Sequence, residues 1–445
     1  MSHSLNKTLS PLKLWGIVVG MVISGMYFGW NYALQYTSPI GLIVAVLVVT
    51  LFYTTFMFSY AELSTAIPHA GGSMEFAKRT MGPFGGFITG FAAFLEFLFA
   101  VPAIALSAGA YINFLIPTVP AVGAAVAIYA LFVFVNCLGV NTAAIVELFV
   151  TIIAILGIAL YVAAGTGHIQ INNIVTDKIF FGGLSGIFAA IPFGIWFYLG
   201  AEGGAMAAEE CRNPKRDIPL GFNLGIITLA IMAILTLLIT TGVTQVAKIN
   251  NVDSPLPSAL ALIYGNGSFL SKALSFIGLF GLIASLHGLI IGYSRQAFAM
   301  AREGYFPFFL SVTTKKHKSP VWAIILPSLI GLIFVLTKAT ATIIVISVIG
   351  AVIMYIMSMI SFFLLRAKEP KLERPYRIAH LALPVIALVI AFIFLVAVVW
   401  ANWATMLWVL LTFAAAAVFY FAFSIPNMRK VSEVKLNLKL SSEEA

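Results

Sequence analysis

Four glutamates stand inside or beside long apolar runs: Glu62, Glu96, Glu147 and Glu202. A charged side chain at the centre of a bilayer costs roughly 2.5–3.5 kcal/mol or more unless it is solvated, neutralised or paired, so such residues are functional candidates. Glu96 lies in the middle of its run, in F-L-E-F-L-F, and no lysine or arginine falls at that depth. It either holds a proton or pairs with a cation that the chain does not supply. Glu202 lies in W-F-Y-L-G-A-E-G-G-A, from Trp196 to Ala205, and faces the same choice. Glu62 and Glu147 sit near the ends of their runs and are expected at an interface or packing a gate. Aromatic residues stand in two glycine-bearing segments: Tyr27 and Phe28 between Gly25 and Gly29, and Trp196, Phe197 and Tyr198 ahead of Gly200 and Glu202. An ammonium over an aromatic face gains about 0.5–2 kcal/mol. Two acids with aromatic walls and no basic partner fit a small cation better than an anion. His287 in S-L-H-G-L is a further pocket-lining or proton-relay candidate, and Ser285 beside it an ion or ligand contact.

These residues are carried by a membrane chain. Of 445 residues, 61% are hydrophobic and 9% charged, whereas soluble domains average about 25% charged. That composition excludes a soluble enzyme, a nucleic-acid-binding domain and a disordered protein. A spanning helix needs about 20 apolar residues. Twelve spans are expected, near residues 12–38, 40–66, 85–114, 121–138, 143–164, 184–208, 219–243, 271–299, 321–337, 340–365, 382–400 and 404–424, followed by a polar tail over 425–445. With this count, all of the 25 lysines and arginines except Lys178, Lys248, Lys272 and Lys338 fall on one side. Positive charge is retained in the cytoplasm, so both termini are expected there, in the inner membrane of a bacterium. The two cysteines, Cys137 and Cys211, and the six histidines show no metal-ligand spacing. No metal or organic cofactor is expected.

The first span reads G-M-V-I-S-G-M-Y-F-G-W-N from Gly20 to Asn31, and the sixth carries Gly200, Gly203 and Gly204. Glycine weakens a helix interior by about 1 kcal/mol relative to alanine, so both spans are expected to unwind near the middle. Unwound backbone persists in a bilayer only where protein buries it or a wet cavity adjoins it. Interrupted spans at corresponding places in two halves point to a midplane transport site.

Three segments resemble the amino acid–polyamine–organocation transporter superfamily: A-E-L-S-T-A-I-P-H-A-G-G-S (Ala61 to Ser73), A-E-E-C-R-N-P-K-R-D-I-P (Ala208 to Pro219) and G-Y-S-R-Q-A-F-A-M-A-R-E-G-Y-F-P (Gly292 to Pro307). Within it, S-G-M-Y-F-G-W-N, E-L-S-T-A-I-P-H-A-G-G, L-E-F-L-F-A-V-P-A-I-A and I-W-F-Y-L-G-A-E-G resemble the bacterial ethanolamine permeases. The resemblance implies an all-α polytopic fold of leucine-transporter type. Residues 12–164 and 184–365 would be two inverted five-helix repeats with helices 1 and 6 discontinuous, and 382–424 two further helices. It implies a secondary transporter, not an enzyme, taking a small amine such as ethanolamine by alternating access; the alternative is a neutral amino acid–cation symporter. The expected substrate contacts are Ser24, Gly25, Tyr27, Phe28, Glu96, Trp196, Tyr198, Glu202 and His287. Some members of the superfamily carry a lysine in span 5 that stands in for a sodium ion; the matching position here is Ala154. Proton or sodium coupling is left open, through Glu96 or Glu202 if a proton is used. Expected partners are the substrate and the bilayer, with no nucleic acid, in a monomer or homodimer.

Overall fold

The computed structural model describes residues 8–139, 143–176, 179–314 and 317–430. Lys178 and the tail beyond residue 430 lie outside them. Apolar runs with internally bonded backbone leave the helix as the economical way to cross a bilayer, and among the described residues every long element is helical. The order is α1 (Pro11–Val22), α2 (Ser24–Tyr27), α3 (Pro39–Ala66), α4 (Ser73–Leu115), α5 (Ala121–Cys137), α6 (Ala143–Thr166), α7 (Ile171–Ile174) and α8 (Gly183–Trp196). It continues with α9 (Pro214–Val243), α10 (Pro255–Tyr264), α11 (Phe269–Arg302), α12 (Val321–Thr337), α13 (Thr340–Lys368), α14 (Ala382–Ala401) and α15 (Trp403–Phe419). Eight of the described helices are long and apolar enough to span, and the bent α1–α2 pair makes a ninth. The other expected spans fall on the shorter apolar helices α5, α8 and α12.

The first span bends by 40° between Pro11–Val22 and Ser24–Gln35. Phe28 is extended, and Gly29 turns the chain at φ +94° before a 3₁₀ segment, Trp30–Gln35. The sixth span stops at Trp196, turns at Gly200 with φ +97° and resumes as the 3₁₀ segment Ala201–Glu210. Only glycine adopts such φ values without strain, so Gly29 and Gly200 are the residues that permit the breaks. Gly25 does something else: a Cβ there would collide with the Trp196 carbonyl oxygen. Its missing side chain lets the two broken spans touch backbone to backbone. Phe28 packs edge-on against Trp196, and Trp30 stacks on Phe197, both with centroids 5.5 Å apart.

Two features depart from the expected span limits. The third span begins earlier, as an interfacial stretch from Ser73, and kinks at Gly82 (φ +79°) ahead of Pro83, which lacks a backbone N–H to continue the helix. The loop after α9 contains the helix α10, started by Pro255 at its first turn. Beyond these, α4 packs along α13 and α11. On the face where the basic loops gather (the basic face), Leu9 pairs in strand fashion with Cys211. Its N–H bonds the Glu210 carbonyl at 2.9 Å, and its carbonyl accepts from the Arg212 N–H at 3.0 Å.

Candidate functional site

The structure draws the deep acids together. Glu96 is fully buried on α4, and Glu202 is 3% exposed just past the Gly200 turn. Each carboxyl lies within electrostatic reach of the other, and the Gly200 N–H faces both. Glu96 is fixed from behind. The Ser347 hydroxyl on α13 donates to its backbone carbonyl at 2.6 Å, and Gly350 lets α13 close onto the same turn, since a Cβ there would stand 2.9 Å from the Glu96 nitrogen. Among the described residues, no donor makes a well-formed hydrogen bond to either Glu96 carboxyl oxygen or to Glu202 Oε1. Glu202 Oε2 accepts from the Tyr355 hydroxyl at 3.2 Å. No ion pair reaches either acid among the described residues.

Tyrosines surround this pair. Tyr355 and Tyr53 share a hydroxyl contact of 2.7 Å, and Tyr53 stacks on Tyr198 at 4.9 Å. Tyr198 in turn meets the Thr50 hydroxyl at 2.6 Å. Tyr53 and Tyr355 are absent from the sequence reading. The signal available was a tyrosine hydroxyl inside an apolar span, which needs a polar neighbour.

A second feature adjoins the pair. Where the two breaks touch, Met21, Ser24, Ile104, Trp196, Leu199 and Leu289 enclose a cavity too narrow for a water molecule. Trp196 Nε1 is buried without a partner. The Ser24 N–H is already taken by Ser285 Oγ at 3.0 Å, and Ser285 donates to the Gly20 carbonyl at 2.7 Å. Ser285 thus bridges the break in the first span.

The remaining sequence candidates point elsewhere. Tyr27 donates to the Ala154 carbonyl at 2.6 Å, and its ring lies against Gly278 and Gly281, so it wedges the α2 turn between α6 and α11. Its carbonyl accepts from Tyr111 at 2.8 Å. Phe28 faces Trp196 rather than the acids. His287 is held 3.0 Å from the Asn136 amide of α5 and lies beside Phe132. Gly25 sits at the crossing of the two breaks, as described above.

The two faces of the fold are sealed differently. On the far face, Asp253 accepts from Tyr32 at 2.5 Å and from Thr340 at 3.2 Å, while its carbonyl accepts from Ser107 at 2.7 Å. Asn31 adds bonds to the carbonyls of Ile249 and Val252 at 2.7 and 2.9 Å. Those contacts tie the outer parts of the first span, α4 and α13 to one loop. On the basic face, Glu62 is 2% exposed and takes two bonds from Arg366, at 2.8 and 2.6 Å, and one from the Ile378 N–H at 2.9 Å; Arg374 stands 3.6 Å away. On the same face a cavity opens past Arg295 and Glu210 and reaches Glu147.

Residues 9–427 match the family described as amino acid permease. The chain belongs to the amino acid permease family. A protein of Rhizobium meliloti (strain 1021) named an uncharacterized transporter is 30% identical to the permease, over 87% of this chain and 85% of its own. The branched-chain amino acid permease and the methylthioribose transporter of Bacillus subtilis (strain 168) are each 24% identical, over 95% of this chain and 94% of theirs. The permease is therefore a multi-pass membrane transporter of the amino acid–polyamine–organocation superfamily, with a small-molecule substrate, and is not an enzyme.

Proposed function

We propose that this permease carries a small organic amine, ethanolamine fitting best, across the bacterial inner membrane by alternating access. Residues 12–164 and 184–365 act as two inverted repeats, and the basic face is the cytoplasmic one. The observation that carries this reading is Glu96: a buried carboxyl with neither oxygen bonded, beside a second acid, with no lysine or arginine to meet them. A carboxylate so placed is destabilised by several kcal/mol, and a primary ammonium between Glu96 and Glu202 restores both charge balance and hydrogen bonding. Tyr53, Tyr198 and Tyr355 then provide aromatic faces. The free Trp196 Nε1–H is a donor for the substrate hydroxyl, a part that Tyr198 fills less well because its hydroxyl already has a partner.

A second reading, a neutral amino acid–cation symporter, draws support from a relative named as a branched-chain amino acid permease. It lacks a cationic side chain for a carboxylate. In proteoliposomes, ethanolamine uptake is expected to be blocked by excess ethanolamine and lost in Glu96→Gln, with the variant still inserted and folded. Inhibition by alanine or leucine but not by ethanolamine would replace the first reading with the second.

A further inference from the structure

Glu147 takes no part in the dicarboxyl pair, and its place near the end of its span suits an interfacial or gate-packing residue. Its surroundings point to more. The residue is 8% exposed, its Oε1 is buried without a hydrogen-bond partner, and it lines the cavity that opens on the basic face. Gly20 makes room for the carboxyl, since a Cβ there would fall on Oε1, and Gly288 lies across from it, where a Cβ would stand in ordinary contact at 3.8 Å. The acid is therefore pressed between α1, one turn before its break, and α11.

Among the described residues no ion pair reaches it. Of the groups lining the cavity, Arg295 of α11 and Glu210 are charged, and they pair with each other at 3.3 Å. α1 contributes Ile17 and Met21, the 3₁₀ segment contributes Gly203, Met206 and Ala207, and α9 and α10 contribute no lining side chain. His287, next to Gly288 on α11, is engaged by Asn136.

We propose that Glu147 is a proton-binding site that must be filled for this cavity to close. With the cavity open, the part of the carboxyl that lines it meets water. When α1 and α11 close over it, as alternating access requires, a carboxylate would be left without solvent or counter-charge. A proton from cavity water forms the O–H bond that cancels the charge; reopening lets the bond break and returns the proton to water. Closure and proton uptake are thus linked, and each pH unit above the titration midpoint disfavours closure by about tenfold. The inference rests on alternating access from the preceding reading but not on its substrate.

The test needs no substrate. Ala207→Cys, in a background with Cys137→Ser and Cys211→Ser, reports the cavity by its rate of reaction with a maleimide. The rate with Glu147 is compared with that in Glu147→Gln at each pH, which cancels the ordinary pH dependence of the thiol. The expected ratio is near one under acid conditions and rises about tenfold or more towards alkaline pH, because glutamine imitates the protonated state throughout. A ratio that stays constant with pH overturns the proposal. Should Glu147→Gln fail to fold, the Ala207→Cys rate is normalised to a cysteine at the exposed Lys371. A rise with pH supports the linkage and a flat response overturns it. Loss of ethanolamine transport in wild type, by contrast, would strike the substrate reading and leave this measurement standing.

Discussion

Glu62 and Glu96 are the same residue type, both nearly inaccessible to solvent and both on spanning helices, yet the chain treats them in opposite ways. Around Glu62 the positive charge and donors are complete: Arg366 grips both oxygens, Arg374 stands behind, and a backbone N–H fills a remaining position. Arg366 is itself seated over the Phe362 ring at 4.7 Å. Around Glu96 the packing is equally tight, with Ser347 and Gly350 holding its turn, but its carboxyl oxygens are left unbonded. Burial of an acid is therefore not the mark of a binding site in this fold. The mark is burial with rigid support from behind and no counter-charge in front.

The contrast is sharpest when each acid is removed. Glu62→Ala strands Arg366 and Arg374 and is expected to lower stability by about 3–5 kcal/mol, the usual loss when one partner of a buried pair is deleted. Thermal unfolding in detergent measures it. Glu96→Gln should leave the melting temperature unchanged or higher while abolishing uptake. If both variants lose stability alike, the two acids do not differ as described. A smaller effect tests the wall around the pair. Tyr355→Phe removes the bond to Glu202 and the contact with Tyr53, and at about 0.5–1.5 kcal/mol for a hydrogen bond it should weaken substrate binding several-fold, read by ligand-dependent thermal shift. The smallest effect belongs to an exposed pair on the basic face. Arg79 bonds Glu369 at 2.7 and 2.5 Å and holds its carboxyl below the ordinary value. A lowered acid stabilises the fold above the usual carboxylate range and loses that contribution as pH falls through the lowered value. For so exposed a pair the whole contribution is at most about 1 kcal/mol. The stability difference between wild type and Glu369→Gln should shrink towards zero on acidification.

Much of this was legible in the residues themselves. The breaks show because glycine is the residue that turns a helix at positive φ, and Gly29 and Gly200 stand amid otherwise helix-forming runs. Glu96 shows because its neighbours are apolar for a full turn on either side, in A-A-F-L-E-F-L-F-A. What stayed hidden is direction and distance. A sequence places Tyr27 and His287 at the right depth but does not say that one faces Ala154 and the other Asn136. The partners of Glu62 lie some three hundred residues downstream, a separation over which local pattern carries no information. Tyr53 and Tyr355 converge on Glu202 from α3 and α13 for the same reason. Glu147 was placed near the end of its span, but the cavity beside it arises only from the packing of α1 against α11.

The backbone pairing of Leu9 with the stretch around Cys211 has a mechanical meaning. It joins the chain just ahead of the first broken span to the chain just after the second. The basic-face portions of those two spans are thereby yoked through main-chain hydrogen bonds, so a displacement of one is passed to its twin by backbone and not by side chains.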